Sequence, residues 1–394
     1  MAKRCLVITS SFPRGERDLA GKFVEQWCCA LARQGWRVDV LCWRGPGAVN
    51  RRVMPGVEVR FVAYGPPRWE GLFFGAGAPE NLEASPGRAV MGAPAMASMV
   101  VAAVGACRRR RYDRIVGHWL VPGGLVARLV GAMTNIPSAV VGHSGGVHLL
   151  GSVPGGLGAM VARWACGGAT TLPSEPLRDR LRELSKINEV EVAPMGFSPG
   201  DGGARRARRA RLEVGFLGRL VPIKGLETAI DAVEIAGAEG TDLRLTVVGE
   251  GPERTRWEAR AGDHVEFVGP RYGAEKWGFL KSWDVLVMPS KELESGRHEG
   301  LPVSLLEGAH AGAVPLVSGI PGVERWLARP DRQVLRGGDA RELAARLQWL
   351  AKLEGGERRQ LASLTRRQVA PLSWPDYGRW WSQWLEEVPK VGVG

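Results

Sequence analysis

Residues 283–319 read WDVLVMPSKELESGRHEGLPVSLLEGAHAGAVPLVSG. WDVLVMPS is an apolar run of strand length ending at Ser290. The polar loop KELESGRHEG follows. Gly300, Leu301 and Pro302 lead into a helix that the spacing of apolar residues carries from about Pro302 to Ala311, and proline suits a first helical turn because its missing N–H has no partner there. VPLVSG is a second buried strand. Strand, crossover helix and strand, with both strands apolar throughout, make a parallel unit covered on both faces. Two carboxylates stand inside this unit with seven residues between them. Glu299 falls in the loop just before the helix, and Glu307 falls about one and a half turns inside it.

The same alternation runs through the rest of the chain. CLVITSS, RVDVLCW, VEVRFVAY, RIVGHWL, SAVVGH and VEVAP read as strands in the first half. KFVEQWCCALARQG, Gly123–Thr134, Gly155–Gly167 and RDRLRELS read as helices between them. The pattern breaks at FSPGDGGARRARRAR, where proline, glycine and an arginine run mark a linker. It restarts with LEVGFLGRL, GLETAIDAVEIAG, LRLTVVGEG, PERTRWEARAG and VEFVG, and closes with the helix ARELAARLQWLAKL and the aromatic amphipathic helix WPDYGRWWSQWLEEV. The expected fold is α/β: two doubly wound, Rossmann-like parallel-sheet domains. The boundaries are 1–197 for the first domain, 198–211 for the linker and 212–372 for the second.

Bulk composition agrees with a soluble globular chain. Of 394 residues, 45% are hydrophobic and 24% charged. The net charge of +12 is uneven: residues 1–195 carry 24 Lys and Arg against 14 Asp and Glu, and residues 196–394 carry 29 against 27. A basic first half implies an anionic partner, either phosphate groups, a lipid headgroup surface or nucleic acid. Cys5, Cys28, Cys29, Cys42, Cys107 and Cys166 have no metal-binding spacing and read as reduced thiols of a cytoplasmic protein. The N-terminal apolar run is four residues long, a strand rather than a signal peptide. Ala89 to Cys107 is uncharged and flanked by Arg88 and Arg108–Arg111. Its length would span a bilayer. Its Ala, Gly and Met content, with Pro94 and Gly105, reads instead as a crossover helix that is buried or grazes a membrane.

Ligands of open parallel sheets bind beyond the carboxyl ends of the strands, so the residues at those ends are the candidates. Arg219 and Lys224 follow the first strand of the second domain and precede a helix, an arrangement suited to a diphosphate. Gly249 and Gly269 close the next two strands, where bare backbone lets a ligand approach. Glu307 suits two hydroxyl donors, such as a ribose. Glu299, with the N–H groups of Gly300 and Leu301, suits a sugar hydroxyl and a phosphate oxygen together. Alone, Glu299 is equally what the start of an ordinary helix shows, since a carboxylate there complements the dipole. No two aspartates lie two apart, so there is no Asp-x-Asp metal clamp. In the first domain Gly21 opens the first helix, and His118 and His143 stand at strand tips, where an imidazole can hydrogen-bond a hydroxyl or phosphate or carry a proton.

GFLGRLVPIKG, VVGEGPE, VEFVG, WDVLVMPS and HEGLPVSLLEGAHAGAVPLVSGIPGVER, in this order, resemble the retaining glycosyltransferases of family 4 with the GT-B fold, a large group of cell-envelope and exopolysaccharide enzymes. The resemblance covers essentially the whole chain, and Glu-x7-Glu is its best-known signature. It implies two domains facing a central cleft, with a C-terminal helix, 373–394, crossing back to complete the first. It implies that the second domain binds a UDP- or GDP-sugar. Arg219 and Lys224 would hold the diphosphate, Glu307 the ribose, and Glu299 with Gly300 and Leu301 the transferred sugar. His143 would be the active-site histidine, and Gly21 would lie near the diphosphate. The first domain would take the acceptor, a sugar, a lipid-linked group or another hydroxyl, beside His118, Ser144 and Gly145. No metal or other cofactor is implied, and a phosphate leaving group that accepts the incoming proton on the same face implies retention. Two departures stand out. The family's His-Gly-x-Asp reads His143-Ser144-Gly145-Gly146 here, and one glycine, Gly21, stands where relatives often have two.

Other readings predict different features. A sugar-nucleotide epimerase of the same fold needs more carboxylates at the strand tips of the first domain. A non-catalytic nucleic-acid binder needs aromatics interleaved with basic residues, and the arginine clusters lack them, so no nucleic-acid partner is expected. The basic first domain is expected to meet an anionic membrane surface, as a peripheral protein on the inner face of the membrane.

Overall fold

The computed structural model of the chain describes residues 2–389 apart from 16, 17, 19, 75–77, 154, 155, 188, 201–210, 294–297, 319, 337 and 338. Arg205, Arg206, Arg208 and Arg209 of the linker's arginine run thus lie outside the described residues, while Arg211 pairs with Glu213 at 3.1 Å. The chain divides into two compact units, Met1–Met195 with Trp374–Gly394, and Gly196–Ser373.

The first unit runs β1 (Arg4–Thr9), α1 (Lys22–Arg33), β2 (Arg37–Trp43), β3 (Arg51–Met54), β4 (Val57–Val62), α2 (Ala78–Ala84), α3 (Gly92–Arg109) and β5 (Arg114–His118). It continues with α4 (Leu125–Thr134), β6 (Ser138–Val141), α5 (Ser144–Ser152), α6 (Leu157–Cys166), β7 (Thr170–Leu172), α7 (Glu175–Ser185) and β8 (Val190–Val192). The sheet order is β3-β4-β2-β1-β5-β6-β7-β8. Its strands are parallel except for β3, which pairs antiparallel with β4. The winding sets out from β1 toward β4 and resumes on the other side at β5, so the order switches between β1 and β5. Cys5, Leu6, Val7 and Ile8 of β1 have no exposed surface, as a central parallel strand covered on both faces requires.

Three elements of this unit carry little sequence signal. The edge strand β3, with half-exposed side chains, is turned back on β4 by Pro55 and Gly56. Helix α5 contains three glycines, which weaken a helix by about 1 kcal/mol each, and it is held by packing on α6 and α7. Strand β7 has three residues. The uncharged segment forms α3, whose stripe of Ala95, Met99, Ala103 and Ala106 is buried in the core with Leu6 and Ile115. The cysteines are all free thiols, with Cys5, Cys28, Cys42 and Cys166 buried and Cys29 and Cys107 half-buried.

The second unit runs β9 (Leu212–Leu217), α8 (Leu226–Ala238), β10 (Leu243–Val248), α9 (Arg254–Glu258), β11 (Val265–Phe267), α10 (Gly273–Ser282), β12 (Val285–Pro289) and α11 (Val303–Ala311). Then come β13 (Val314–Ser318), α12 (Pro330–Gln333), α13 (Ala340–Lys352) and α14 (Gly355–Val369). Its five strands are parallel in the order β11-β10-β9-β12-β13, with the switch between β9 and β12. Helix α14 starts at a glycine pair that reads as a break. A capping box supplies the start instead, because Glu354 and Glu357 each accept the other's backbone N–H.

The last helix, α15 (Trp374–Glu387), crosses back to the first unit as expected and packs on α1. Its aromatic stripe explains the crossing. The Trp381 ring meets Trp27 edge to face at 5.5 Å. Trp36 Nε1 donates to Ser382 Oγ at 2.9 Å, and Trp384 Nε1 donates to Glu191 Oε1 at 2.7 Å. Trp36 and Trp384 bury large apolar area while their N–H groups find acceptors, whereas the ring N–H groups of Trp27 and Trp381 are buried without one.

Candidate functional site

In the second unit the candidate residues gather at the carboxyl edge beside the switch point. After β9 the chain passes Gly218 and Arg219 and makes a single tight turn at Pro222–Lys224 before α8. Gly225, the N-cap of α8, has φ +62, and a Cβ there would stand 1.8 Å from the carbonyl oxygen of Pro289. Only glycine lets the β9 loop lie against the end of β12 in this way. The contact sets Lys224 facing the loop after β12. Lys224 Nζ pairs with Glu299 Oε1 at 2.5 Å, and both side chains are largely buried. Ser290 Oγ donates to the other carboxylate oxygen of Glu299 at 2.6 Å. Ser290 is held in turn by Ser318 Oγ, which donates to its carbonyl oxygen at 3.1 Å. Arg219 lies exposed at the same loop and makes no ion pair among the described residues.

Gly300 and Leu301 lie half-buried outside regular structure, directly before Pro302, the N-cap of α11. Glu307 is the fifth residue of that helix and is 4% exposed. Burial raises its carboxyl above the usual carboxylate range, and the ammonium of Lys276, which donates to Oε1 at 2.7 Å, pulls the other way. Gly249 and Gly269, at the ends of β10 and β11, are joined by the Gly249 N–H donating to the Gly269 carbonyl at 3.2 Å. The second unit thus holds the cations Arg219, Lys224 and Lys276 and the carboxylates Glu299 and Glu307 at one edge, with the amino end of α8 among them. It can bind an anion and hydroxyl donors together.

In the first unit the candidates again stand at a switch point. Gly21 is the N-cap of α1, and a Cβ there would stand 2.3 Å from the carbonyl oxygen of Ser11. His118 ends β5, and His143 is the N-cap of α5, whose first residues are Ser144 and Gly145. The imidazoles stack at 5.6 Å, and His118 Nδ1 lies 3.3 Å from His143 Nε2, so one nitrogen carries the proton and the other accepts it. His118 has no exposed surface, and a ring with no open edge does not suit the direct acceptor contact expected of it. His143 keeps part of its surface open. Burial holds both rings well below the ordinary histidine value, so both are neutral at pH 7.

Sequence reasoning missed three residues here. Lys276 lies on α10, a helix with no clear apolar periodicity. Trp119 and Phe23 enclose His143, with ring centroids 4.7 and 5.1 Å from the imidazole. Trp119 has φ +65, a left-handed conformation rare for an aromatic residue. Its sequence signal is indirect: Val121-Pro122-Gly123-Gly124 follows β5, and the helix expected from Gly123 begins at Leu125.

Comparison with known proteins adds to this geometry. Residues 20–196 match the family described as glycosyl transferase 4-like domain, and residues 211–352 match the family described as glycosyl transferases group 1. Over 199 residues the chain is 30% identical to the putative colanic acid biosynthesis glycosyltransferase WcaL of Escherichia coli (strain K12), covering 48% of this chain and 47% of that protein. It thus spans about half the length of that curated relative. Among solved structures, the sucrose-phosphate synthase of Thermosynechococcus elongatus superposes with a TM-score of 0.75 at 21% identity, over 97% of this chain and 98% of that one. The HepE protein of Anabaena in complex with UDP-glucose superposes with a TM-score of 0.66 at 14% identity, over 98% and 99%.

Proposed function

The chain belongs to the GT-B glycosyltransferases, its two halves matching the glycosyl transferase 4-like and group 1 families, and from that premise we propose that it moves a sugar from a UDP- or GDP-sugar to an acceptor hydroxyl with retention at the anomeric carbon. The observation that carries this reading is the grouping of Arg219, Lys224, Glu299 and Glu307 at the β9–β12 edge, two grips for an anion and two for hydroxyls. The likeness to WcaL supports a role in polysaccharide biosynthesis. The UDP-glucose bound to HepE supports a nucleotide sugar as donor.

On this reading Arg219, Lys224 and the amino end of α8 neutralise the diphosphate, with Gly249 and Gly269 leaving room for the nucleoside. Glu307 accepts from the ribose hydroxyls. Glu299, beside the amides of Gly300 and Leu301, accepts from a hydroxyl of the transferred sugar. The bond from the anomeric carbon to the phosphate oxygen breaks, and the bond to the acceptor oxygen forms on the same face. The acceptor's proton passes to the departing phosphate oxygen. Positive charge at Arg219 and Lys224 stabilises the developing diphosphate. No metal enters this scheme. In the first unit, which we assign to the acceptor, His143 offers a neutral imidazole, and Gly21 and the N–H groups of Ser144 and Gly145 offer backbone to a hydroxyl or phosphate oxygen. His118 acts only through His143, as a positioning residue.

Slow hydrolysis of the donor in the absence of acceptor tests the stereochemistry. NMR of the first sugar released is expected to find the anomer of the donor. Release of the opposite anomer would overturn retention.

A further inference from the structure

The outer helical layer of the first unit has an unusual surface. Of the twelve large hydrophobic side chains exposed among the described residues, eight lie between Val90 and Trp164. Val101 is on α3, Leu129 and Met133 on α4, and Leu157, Met160 and Trp164 on α6. These helices are neighbours, α3 packing on α4 and α4 on α6, so their outward faces join into one apolar surface. Patches of this kind mark contact with a membrane or a partner.

Charge selects between these. From Ala84 to Ser174 the chain carries eight arginines and one acid, Asp113. That acid accepts the Arg4 backbone N–H at 2.7 Å at the start of β5. Arg88 precedes α3, Arg108, Arg109 and Arg111 are exposed at its far end, and Arg163 is exposed on α6 beside Trp164. Helices α3, α4 and α6 themselves carry no acid, and Asp39 and Glu58 at the end of α3 are paired with Arg110, so an apolar face fringed by arginines fits anionic headgroups around an acyl-chain boundary. A second copy of the chain meeting this face would set arginine against arginine.

We propose that the outer face of α3, α4 and α6 docks on an anionic lipid bilayer, with the helices lying in the interface. Residues Pro86–Arg109 are long and apolar enough to cross a membrane. Spanning is incompatible with the fold, because Ala95, Met99, Ala103 and Ala106 are locked against the sheet and only the opposite face is free. Docking is independent of the donor reading, so either can fail without the other.

Cosedimentation of the full chain with phosphatidylglycerol–phosphatidylcholine vesicles, and with phosphatidylcholine alone, tests the proposal. The chain is expected to bind the anionic vesicles at roughly 0.05 M salt and to release at roughly 0.5 M, where charge is screened within a few ångströms. Val101→Asp/Met133→Asp/Met160→Asp is expected to weaken binding at least about tenfold, as is Arg108→Glu/Arg109→Glu. Val49→Asp/Leu364→Asp, which removes exposed apolar groups elsewhere, leaves binding unchanged. Thermal melts identify any variant that fails to fold, and the remaining variant then decides. Wild-type protein that ignores anionic vesicles, or face variants that bind like the control, would overturn the proposal. So would light scattering that finds a wild-type dimer broken by the aspartates, since the face would then be covered by a second copy.

Discussion

Lys224 and Glu299 meet at 2.5 Å although one follows β9 and the other β12, so their ion pair bridges the switch in strand order of the second sheet. Open α/β sheets bind ligands at this position. The pair also means that each residue is occupied before any ligand arrives. A diphosphate must draw Lys224 away from Glu299, and a sugar hydroxyl must replace it.

That exchange separates the two side chains in experiment. Lys224→Ala removes a charge-assisted hydrogen bond of about 1.5–3 kcal/mol, so nucleoside diphosphate affinity should fall about tenfold to hundredfold. Glu299→Gln frees Lys224 from its partner, so diphosphate affinity should hold or rise while transfer is lost. Calorimetry beside a turnover assay distinguishes the two. Parallel loss of binding in both variants would mean that Glu299 serves only to orient Lys224.

Glu307 gives a pH signature. It must be ionised to accept two ribose hydroxyls, and its carboxyl sits above the usual range because burial outweighs Lys276. Nucleotide affinity should therefore weaken as pH falls, at a pH higher than an ordinary glutamate would cause. Glu307→Gln should bind more weakly at neutral pH and flatten that limb. A wild-type limb unchanged in Glu307→Gln would assign it to another group.

The histidine pair predicts how stability depends on pH. The folded values of His118 and His143 lie below the unfolded value of about 6.5. Below about pH 6.5 the unfolded chain takes up protons that the folded chain refuses. The contribution is thus fully present above that pH and is lost as pH falls toward the folded values. The melting temperature should drop between about pH 7.5 and about pH 5.5, with a shallower slope in His118→Asn. An equal slope in the variant would contradict the pairing.

Gly225 is the least replaceable glycine of the site. Alanine there would take an unfavourable φ and force its Cβ into the Pro289 carbonyl. Gly225→Ala should cost about 1–3 kcal/mol, read as a lower denaturant midpoint. It should also weaken nucleotide binding, because Lys224 moves with it. A variant as stable as wild type would mean that the β9 loop adjusts freely.

Much of this architecture was legible from residues. The apolar runs at β1, β9, β12 and β13 had to be parallel strands covered on both faces, and the Glu299–Glu307 spacing put one carboxylate before α11 and the other within it. The aromatic periodicity of 374–387 marked a helix with a face to bury, and the family resemblance said where it went. What stayed hidden has physical causes. Strand β3 is an edge with little burial, α5 is a glycine-rich helix that tertiary packing maintains, and α14 begins at two glycines that a capping box overrides. Lys276 sits on a helix without a clear apolar face, so nothing local links it to Glu307, 31 residues away. The His118–His143 contact joins the ends of different strands, and each histidine alone read about equally as a structural side chain or a ligand contact. Only the fold reveals that one supports the other.

The central claim is that the β9–β12 edge of the second unit holds a nucleotide sugar through its diphosphate. Calorimetric titration of the full chain with UDP, GDP and ADP is repeated on Lys224→Ala and on Arg379→Ala, a change at an exposed residue of the first unit. UDP or GDP is expected to bind at one site, Lys224→Ala to weaken it at least about tenfold, and Arg379→Ala to leave it unchanged. Failure of all three nucleotides to bind, or a Lys224→Ala variant that binds like wild type, would contradict it.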